Sequence, residues 1–234
     1  MGFYAFKEKW IDYADVVGDK NPVHRDEEFA RRVRFGPKNE GKLEGIIAPG
    51  MWIFSHLGGR FNHAEVVFKN VVYNGTELQI EETGENFSIL SLNGTVVDGK
   101  LVWKECAKRN LPDRKMDYIF SYDLTEDRIR SFLNSAGIIS NGDVRNFILM
   151  SLSAPALLDY GERNGVVGLH LKQTYEQHDS VKLGPLEVGI CAGKSRPGIA
   201  IFENYWIQNG RLVASGKSMV GPATIYPEEI KFAA

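Results

Sequence analysis

Residues 16–24 read Val-Val-Gly-Asp-Lys-Asn-Pro-Val-His, and this stretch carries the strongest signal in the chain. Gly18 adopts backbone angles that other residues disfavour, and Pro22 fixes its own φ and keeps the preceding residue out of the helical region. Asp19 and His24 are therefore held at a set distance around one rigid turn. A carboxylate beside an imidazole can grip and polarise a water molecule near neutral pH. The stretch indicates a chemistry that adds or removes water.

A longer pattern surrounds this turn, which taken alone also suits an Asx turn with a structural histidine. The pattern consists of Tyr13, Gly18, Asp19, Asn21, Pro22, His24 and Ala30. It resembles the signature of the MaoC-like, (R)-specific enoyl-CoA hydratase family. Downstream, residues 46–52 read Ile-Ile-Ala-Pro-Gly-Met-Trp and resemble that family's next landmark, the start of the central helix of a hot-dog fold. Two landmarks in the expected order favour the catalytic interpretation of the turn.

The resemblance implies reversible hydration of trans-2-enoyl-CoA, or dehydration of (R)-3-hydroxyacyl thioesters, in fatty acid metabolism. Asp19 and His24 would be the catalytic residues and would hold the water between them. Gly18, Asn21 and Pro22 would support the turn. The expected partner is an acyl-CoA or another acyl thioester as substrate, and neither a metal ion nor a redox cofactor is expected.

A second candidate site begins after Pro49, a residue that suits the start of a helix. The backbone amides of Gly50 and Met51 are then free to hydrogen-bond a thioester oxygen and to stabilise an enolate-like transition state. The alternative is that Gly50 is a small residue that allows close helix packing. The family resemblance favours the oxyanion role for Gly50.

Substrate selectivity is expected outside the catalytic turn. Residues 34–45 are longer and more polar than the resemblance implies, and Val17 stands where the family usually has a small or hydroxyl residue. Trp52 and Phe54 follow the proposed oxyanion site and are the candidates for limiting the acyl pocket. Helix periodicity allows at least one of them to be an ordinary core residue instead.

Composition argues against several classes of protein. The chain has 234 residues, 43% of them hydrophobic, which allows a sizeable core in one or two domains. A formal net charge of −2 gives no broad electrostatic reason to bind nucleic acid or an acidic membrane surface. The two cysteines have no paired spacing, and His56 and His63 lack further ligands, so neither disulfides nor a metal site are expected. The sequence lacks an export signal and a membrane span, which predicts a cytoplasmic protein.

The sequence contains two similar halves. Each half has a segment of helical length, then a strand-like segment, then a predicted hairpin, at residues 49–61, 66–73 and 93–104 and again at 145–163, 169–175 and 204–215. The two hairpin turns are predicted at Asp98-Gly99 and at Asn209-Gly210. Residues 107–115, between the halves, are charged and interrupted by proline, as a connection over the surface would be.

The repeat indicates two fused units, and the resemblance to double hot-dog hydratases implies an α+β protein in which each unit is an antiparallel sheet wrapped around a central helix. The N-terminal unit, residues 1–110, carries the catalytic turn, and the C-terminal unit, residues 111–234, lacks it. We therefore expect one active site per chain, with the second unit as a wall of the substrate tunnel. His170 and His178 are assigned no functional role. A homodimer of such chains is a further expectation.

Two other functions remain open from the sequence. A hot-dog thioesterase would direct water at the carbonyl carbon rather than at C3. A non-catalytic acyl-CoA-binding protein would keep the fold without turnover, and the unusual Val17 and the polar segment at residues 34–45 favour that interpretation.

Overall fold

The computed structural model describes residues 2–35, 40–58, 60–136, 144–164, 168–194 and 198–225. The described residues form twelve β-strands and six α-helices. The strands are β1 Gly2–Ala5, β2 Val33–Phe35, β3 Gly41–Lys42, β4 His63–Phe68, β5 Thr76–Thr83, β6 Asn86–Ser91, β7 Gly94–Val102, β8 Tyr118–Leu124, β9 Gly168–Gln177, β10 Gly184–Ala192, β11 Ala200–Gln208 and β12 Arg211–Ile225. The helices are α1 Lys7–Val17, α2 Glu27–Arg32, α3 Gly50–Ser55, α4 Glu126–Ala136, α5 Arg145–Ser151 and α6 Ser153–Asn164.

Most of the strands follow one antiparallel path, in the order β1-β5-β6-β7-β4-β9-β12-β11-β10-β8. Strands from the first half of the chain occupy one end of the sheet, and strands from the second half occupy the other. The halves meet where β4 pairs with β9, with the buried Ala64 opposite the buried Tyr175. The short β2 pairs with the end of β12 and with β3. This sheet, with helices packed on it, confirms the predicted α+β hot-dog architecture.

The predicted division into residues 1–110 and 111–234 agrees with this strand order and stays a prediction. The two strands that join the halves overlap the strand-like segments predicted at residues 66–73 and 169–175. β4 starts three residues earlier than predicted, at His63, and ends at Phe68.

The core contains one central helix from each half, α3 and α5. Phe54 of α3 and Phe147 of α5 lie with their ring centroids 5.1 Å apart, and Phe61 lies 4.7 Å from Phe147. All three rings are buried. Each such burial stabilises the fold by about 1.5–3 kcal/mol, so these aromatic contacts hold the two helices together.

Both predicted helical segments are interrupted. The first helix ends at Ser55 rather than near residue 61, because the Ser55 hydroxyl donates to the Trp52 carbonyl at 2.7 Å and His56 Nδ1 contacts the same oxygen at 2.9 Å. These side chains occupy the carbonyl that the next helical amide would need. The second segment breaks between α5 and α6, where Pro155 has no amide to continue the ladder. Within the described ranges no helix is long and apolar enough to cross a bilayer.

One of the two predicted hairpin turns is wrong. Asp98 and Gly99 lie inside β7, and the turn comes earlier, between β6 and β7. Gly99 is required because a Cβ there would collide with the Glu65 carbonyl oxygen of β4, so the glycine permits close strand approach rather than a turn. The Asn209-Gly210 turn is confirmed. Its φ angles of 51° and 71° are the left-handed values of a tight hairpin between β11 and β12.

Candidate active site

The proposed catalytic turn begins where α1 ends. Gly18 follows the helix with a φ of 79°, a left-handed conformation that glycine adopts without strain. The Asp19 amide reaches back to the Ala14 carbonyl at 2.8 Å. The Asn21 amide then donates to Asp19 Oδ1 at 3.0 Å, and Asn21 Oδ1 accepts from the Val23 amide at 3.2 Å. These bonds hold the Asp19 carboxylate in place through the backbone of the turn.

The turn brings Asp19 and His24 together. A short 3-10 helix, Pro22–His24, follows Asn21 and places His24 Nε2 3.7 Å from Asp19 Oδ2. His24 Nδ1 lies 2.7 Å from the Ile47 carbonyl oxygen, and because a carbonyl only accepts, Nδ1 carries the proton. In the neutral ring, Nε2 therefore presents a lone pair toward Asp19.

Electrostatics favour that neutral state. Burial lowers the pKa of His24, and the Arg25 charge acts in the same direction, while the Asp19 carboxylate and the Ile47 carbonyl oppose them. Only 9% of the His24 side chain and 3% of the Asp19 side chain are exposed. The pair thus presents two hydrogen-bond acceptors, 3.7 Å apart, in a largely buried setting. Such a pair can accept both protons of one water molecule.

The turn is anchored from both halves of the chain. Trp10 of α1 donates its indole Nε1–H to the His24 carbonyl at 3.1 Å. Tyr122, on β8 of the second half, donates its hydroxyl to the Val16 carbonyl at 3.0 Å. The position of Asp19 and His24 therefore depends on contacts that are distant in sequence.

Asp19 and His24 open into a cavity of about 450 Å³, which Gly50 and Met51 also line. Gly50 begins α3, and no hydrogen bond among the described residues uses the Gly50 or the Met51 amide. The Phe68 ring lies directly over Gly50, since a Cβ built there would be 2.6 Å from Phe68 Cδ1. The cavity thus combines an acid–base pair with two free amides at a helix start.

Known proteins resemble this chain in structure but not in sequence. No family model and no curated protein matches the sequence. A solved structure described as a MaoC-like dehydratase aligns with a TM-score of 0.63 at 12% identity, covering 94% of this chain and 95% of that one. This chain shares the fold of that structure. A MaoC-like dehydratase from Phytophthora capsici gives 0.60 at 12% identity, covering 94% of each chain. The peroxisomal multifunctional enzyme type 2 of Drosophila melanogaster gives 0.58 at 12% identity, covering 94% of this chain and 48% of that one.

Trp52 and Phe54 do not line the cavity of this MaoC-like fold, so their assignment to the acyl pocket is wrong. Both are buried in the core. Trp52 donates its indole Nε1–H to the Ser135 carbonyl at 3.1 Å, which turns the ring toward α4. Phe54 faces Phe61 and Phe147. In this short helix, the residues after Gly50 that reach the cavity are Met51 and Ile53.

Most of the apolar wall residues of the cavity were not assigned to a substrate pocket from the sequence. From the second half, α6, β11 and β12 contribute Leu157, Leu158, Phe202 and Val220. From the first half, Phe29 and Phe35 line the cavity. Phe35 belongs to the segment at residues 34–45 in which selectivity was predicted, and residues 36–39 of that segment lie outside the described residues. The sequence signal for the wall from the second half was the segment of helical length at residues 145–163.

His170 also lines the cavity, although the sequence offered no argument for it. It lies on β9, and its ring stacks on Phe68 with the planes 16° apart. Asp19 and His24 both influence its pKa, which burial lowers to about 4. The only sequence signal was a histidine between two leucines of the strand-like segment at residues 169–175.

The remaining histidines lie outside the cavity. His56 stacks on Phe3 with ring centroids 3.9 Å apart. His178 Nε2 lies 2.8 Å from the Ser215 hydroxyl oxygen, and His63 is on β4. Across the part of the chain that the structure describes, no three His, Cys, Asp or Glu residues are grouped so as to hold a metal ion.

Proposed function

We propose that this protein adds water to trans-2-enoyl thioesters and, in reverse, removes water from (R)-3-hydroxyacyl thioesters. The observation that carries the proposal is the 3.7 Å pair of acceptor atoms, Asp19 Oδ2 and His24 Nε2, inside the same cavity as the Gly50 amide. The MaoC-like fold and the sequence resemblance support the same chemistry, and the resemblance supplies the stereochemistry.

In hydration, the water oxygen forms a bond to C3 while the C2–C3 double bond moves electron density toward the thioester carbonyl. Asp19 and His24 each accept a hydrogen bond from the water. As the bond to C3 forms, the pair takes up one of the two water protons. That proton is returned to C2, so one water is added and nothing else is consumed. A neutral His24 suits this task because its Nε2 lone pair is available at pH 7.

The carbonyl oxygen becomes negative during the addition. The Gly50 amide, assisted by that of Met51, would donate to this oxygen, and donors of this kind typically contribute about 10²–10³ in rate. The Phe68 ring covers Gly50 at the same place. The thioester thus supplies the activation, with coenzyme A or another thiol as a part of the substrate.

The cavity walls favour an acyl chain as the substrate. Leu157, Leu158 and Phe202 present apolar surface from the second half, while Phe29 and Phe35 do so from the first. A cavity of about 450 Å³ lies within the usual range for small-molecule sites.

The test is turnover of trans-2-butenoyl-CoA by the full chain. We expect the absorbance of the conjugated enoyl thioester to fall without release of free thiol. Asp19→Asn and His24→Ala should each lower kcat by at least about 100-fold. Asp15→Asn is the matched control, because Asp15 lies one turn upstream on α1 and pairs with Arg25 at 2.7 Å outside the cavity.

Two outcomes contradict the proposal and identify the rivals. Release of free thiol with the double bond intact would indicate a thioesterase. Binding of the acyl-CoA with no turnover of either kind would indicate a non-catalytic acyl-CoA-binding protein.

A further inference from the structure

His170 is a polar group in the cavity without a hydrogen-bond partner among the described residues. No hydrogen bond among the described residues involves either ring nitrogen, and Nε2 is shielded from solvent. An unsatisfied buried donor or acceptor destabilises a fold by about 1–3 kcal/mol. The residue as a whole is only partly buried and lines the cavity, so a group bound there can reach the ring at Nδ1, the nitrogen that is not shielded.

An irregularity in β9 brings His170 to the cavity. Lys172 pairs with Met219 of β12, but His170 pairs with the adjacent Val220, which leaves Leu171 without a partner on β12. Gln173 faces the core, and strict alternation would put His170 on the opposite face. One extra residue reverses that alternation. Such bulges occur next to active sites, where they redirect a side chain.

The neighbours of His170 give its ring one orientation and one charge state. Phe68 stacks against it with ring centroids 6.3 Å apart, and the same Phe68 covers Gly50. Burial keeps the pKa of His170 near 4, although the Asp19 carboxylate raises it, so the ring is neutral at pH 7. A neutral imidazole has one N–H donor and one lone pair.

The hydrogen bonds of the reacting water indicate a role for the His170 N–H donor. If Asp19 Oδ2 and His24 Nε2 accept the two protons of the reacting water, its oxygen retains two lone pairs. One lone pair attacks C3. The other requires a donor to orient it, and His24 has none to offer because its only proton is bound to the Ile47 carbonyl.

We propose that His170, a residue of the second half, donates a hydrogen bond to the reacting oxygen beside Asp19 and His24. That oxygen is the water during hydration and the 3-hydroxyl group during dehydration. This inference rests on the proposed function. It gives the second half a direct part in the reaction rather than that of a wall alone.

The experiment measures kcat and KM for trans-2-butenoyl-CoA with His170→Phe, which retains a stacking ring without donors. We expect kcat to fall about 10- to 100-fold, with KM within about threefold of the wild-type value, because a reacting-oxygen contact acts on the transition state. His170→Gln and His170→Asn offer amide donors, and the better of the two should exceed the phenylalanine variant by at least about fivefold.

His63→Phe is the matched control. His63 lies on the adjacent strand β4, its Nδ1 is also buried without a partner, and it does not line the cavity. Its substitution should leave kcat unchanged. If His170→Phe fails to fold by circular dichroism, His170→Leu takes its place under the same limits.

The possible results are distinct. Inactive wild-type protein overturns the proposed function and the role of His170 with it. If the wild-type protein is active, three results would refute the role of His170 while leaving the proposed function intact. The apolar variant could keep kcat within threefold of wild type, only KM could rise, or neither amide variant could exceed the apolar one in kcat.

Discussion

Replacing Gly50 with alanine tests the proposed oxyanion site most directly. A Cβ at this position would lie 2.6 Å from Cδ1 and 2.7 Å from Cε1 of Phe68. Carbon atoms in contact normally keep about 3.5–4.0 Å. The Phe68 ring, or the start of α3, must therefore move by roughly 1 Å.

That movement predicts two measurable effects. Displacement of about 1 Å in a catalytic site can lower the rate about 100-fold, so we expect kcat of Gly50→Ala to fall by that order. Overpacking in a dense core should lower the free energy of unfolding by about 1–3 kcal/mol. The amide itself is retained, and the loss therefore reports geometry rather than a missing donor.

A second substitution separates the clash from other causes. Phe68→Leu removes the ring edge that meets the new Cβ, and the double variant should regain about tenfold in kcat over Gly50→Ala, because contacting residues couple. Gly189→Ala is the control. It is also overpacked, with its Cβ 2.9 Å from Met116 Sδ, but it lies outside the cavity and should lose stability without losing kcat.

The assay is hydration of trans-2-butenoyl-CoA, with urea unfolding for stability. Turnover of Gly50→Ala within threefold of wild type would refute the reasoning. A loss that Phe68→Leu does not reduce would also refute it, because the clash would then not be the cause.

Three further predictions concern the pair, the core and pH. The Asp19→Asn/His24→Ala double variant should lose little more activity than the worse single variant, since both groups act on one water; additive losses in kinetics would contradict this. Trp52→Phe should lower the free energy of unfolding by about 1–3 kcal/mol and reduce turnover of all acyl lengths equally, whereas Leu158→Ala should raise relative turnover of longer enoyl-CoAs; a chain-length panel checks both. Burial lowers the pKa of His56 from 6.5 to about 4, so His56 is protonated at a higher pH in the unfolded chain than in the folded one. The free energy of unfolding should therefore fall as the pH falls from 6.5 to about 4. Urea titrations at pH 7 and pH 4 should show that His56→Phe removes roughly 3 kcal/mol of that decline, and an unchanged decline would be evidence against it.

Some features of the fold could be predicted because short-range rules control them. The left-handed Gly18, the start of a helix after Pro49 and the Asn209-Gly210 turn each depend on backbone preferences within a few residues. The same rules gave a wrong prediction at Asp98-Gly99. There a turn-like pair lies within a strand, because the neighbouring β4 backbone leaves no space for a side chain.

What the sequence determined by itself is the local backbone of the turn that carries Asp19 and His24, because hydrogen bonds among residues 14 to 24 define it. The position of the turn in the fold depends on contacts from both halves of the chain. Only the tertiary structure determined what faces that turn. Trp52 lies in the core rather than in the cavity because of a hydrogen bond to α4, 83 residues away. His170 reaches the cavity only through a bulge in β9, and a register shift between paired strands leaves no local sequence pattern. Side-chain direction in a sheet depends on the partner strand, which single-strand periodicity does not specify.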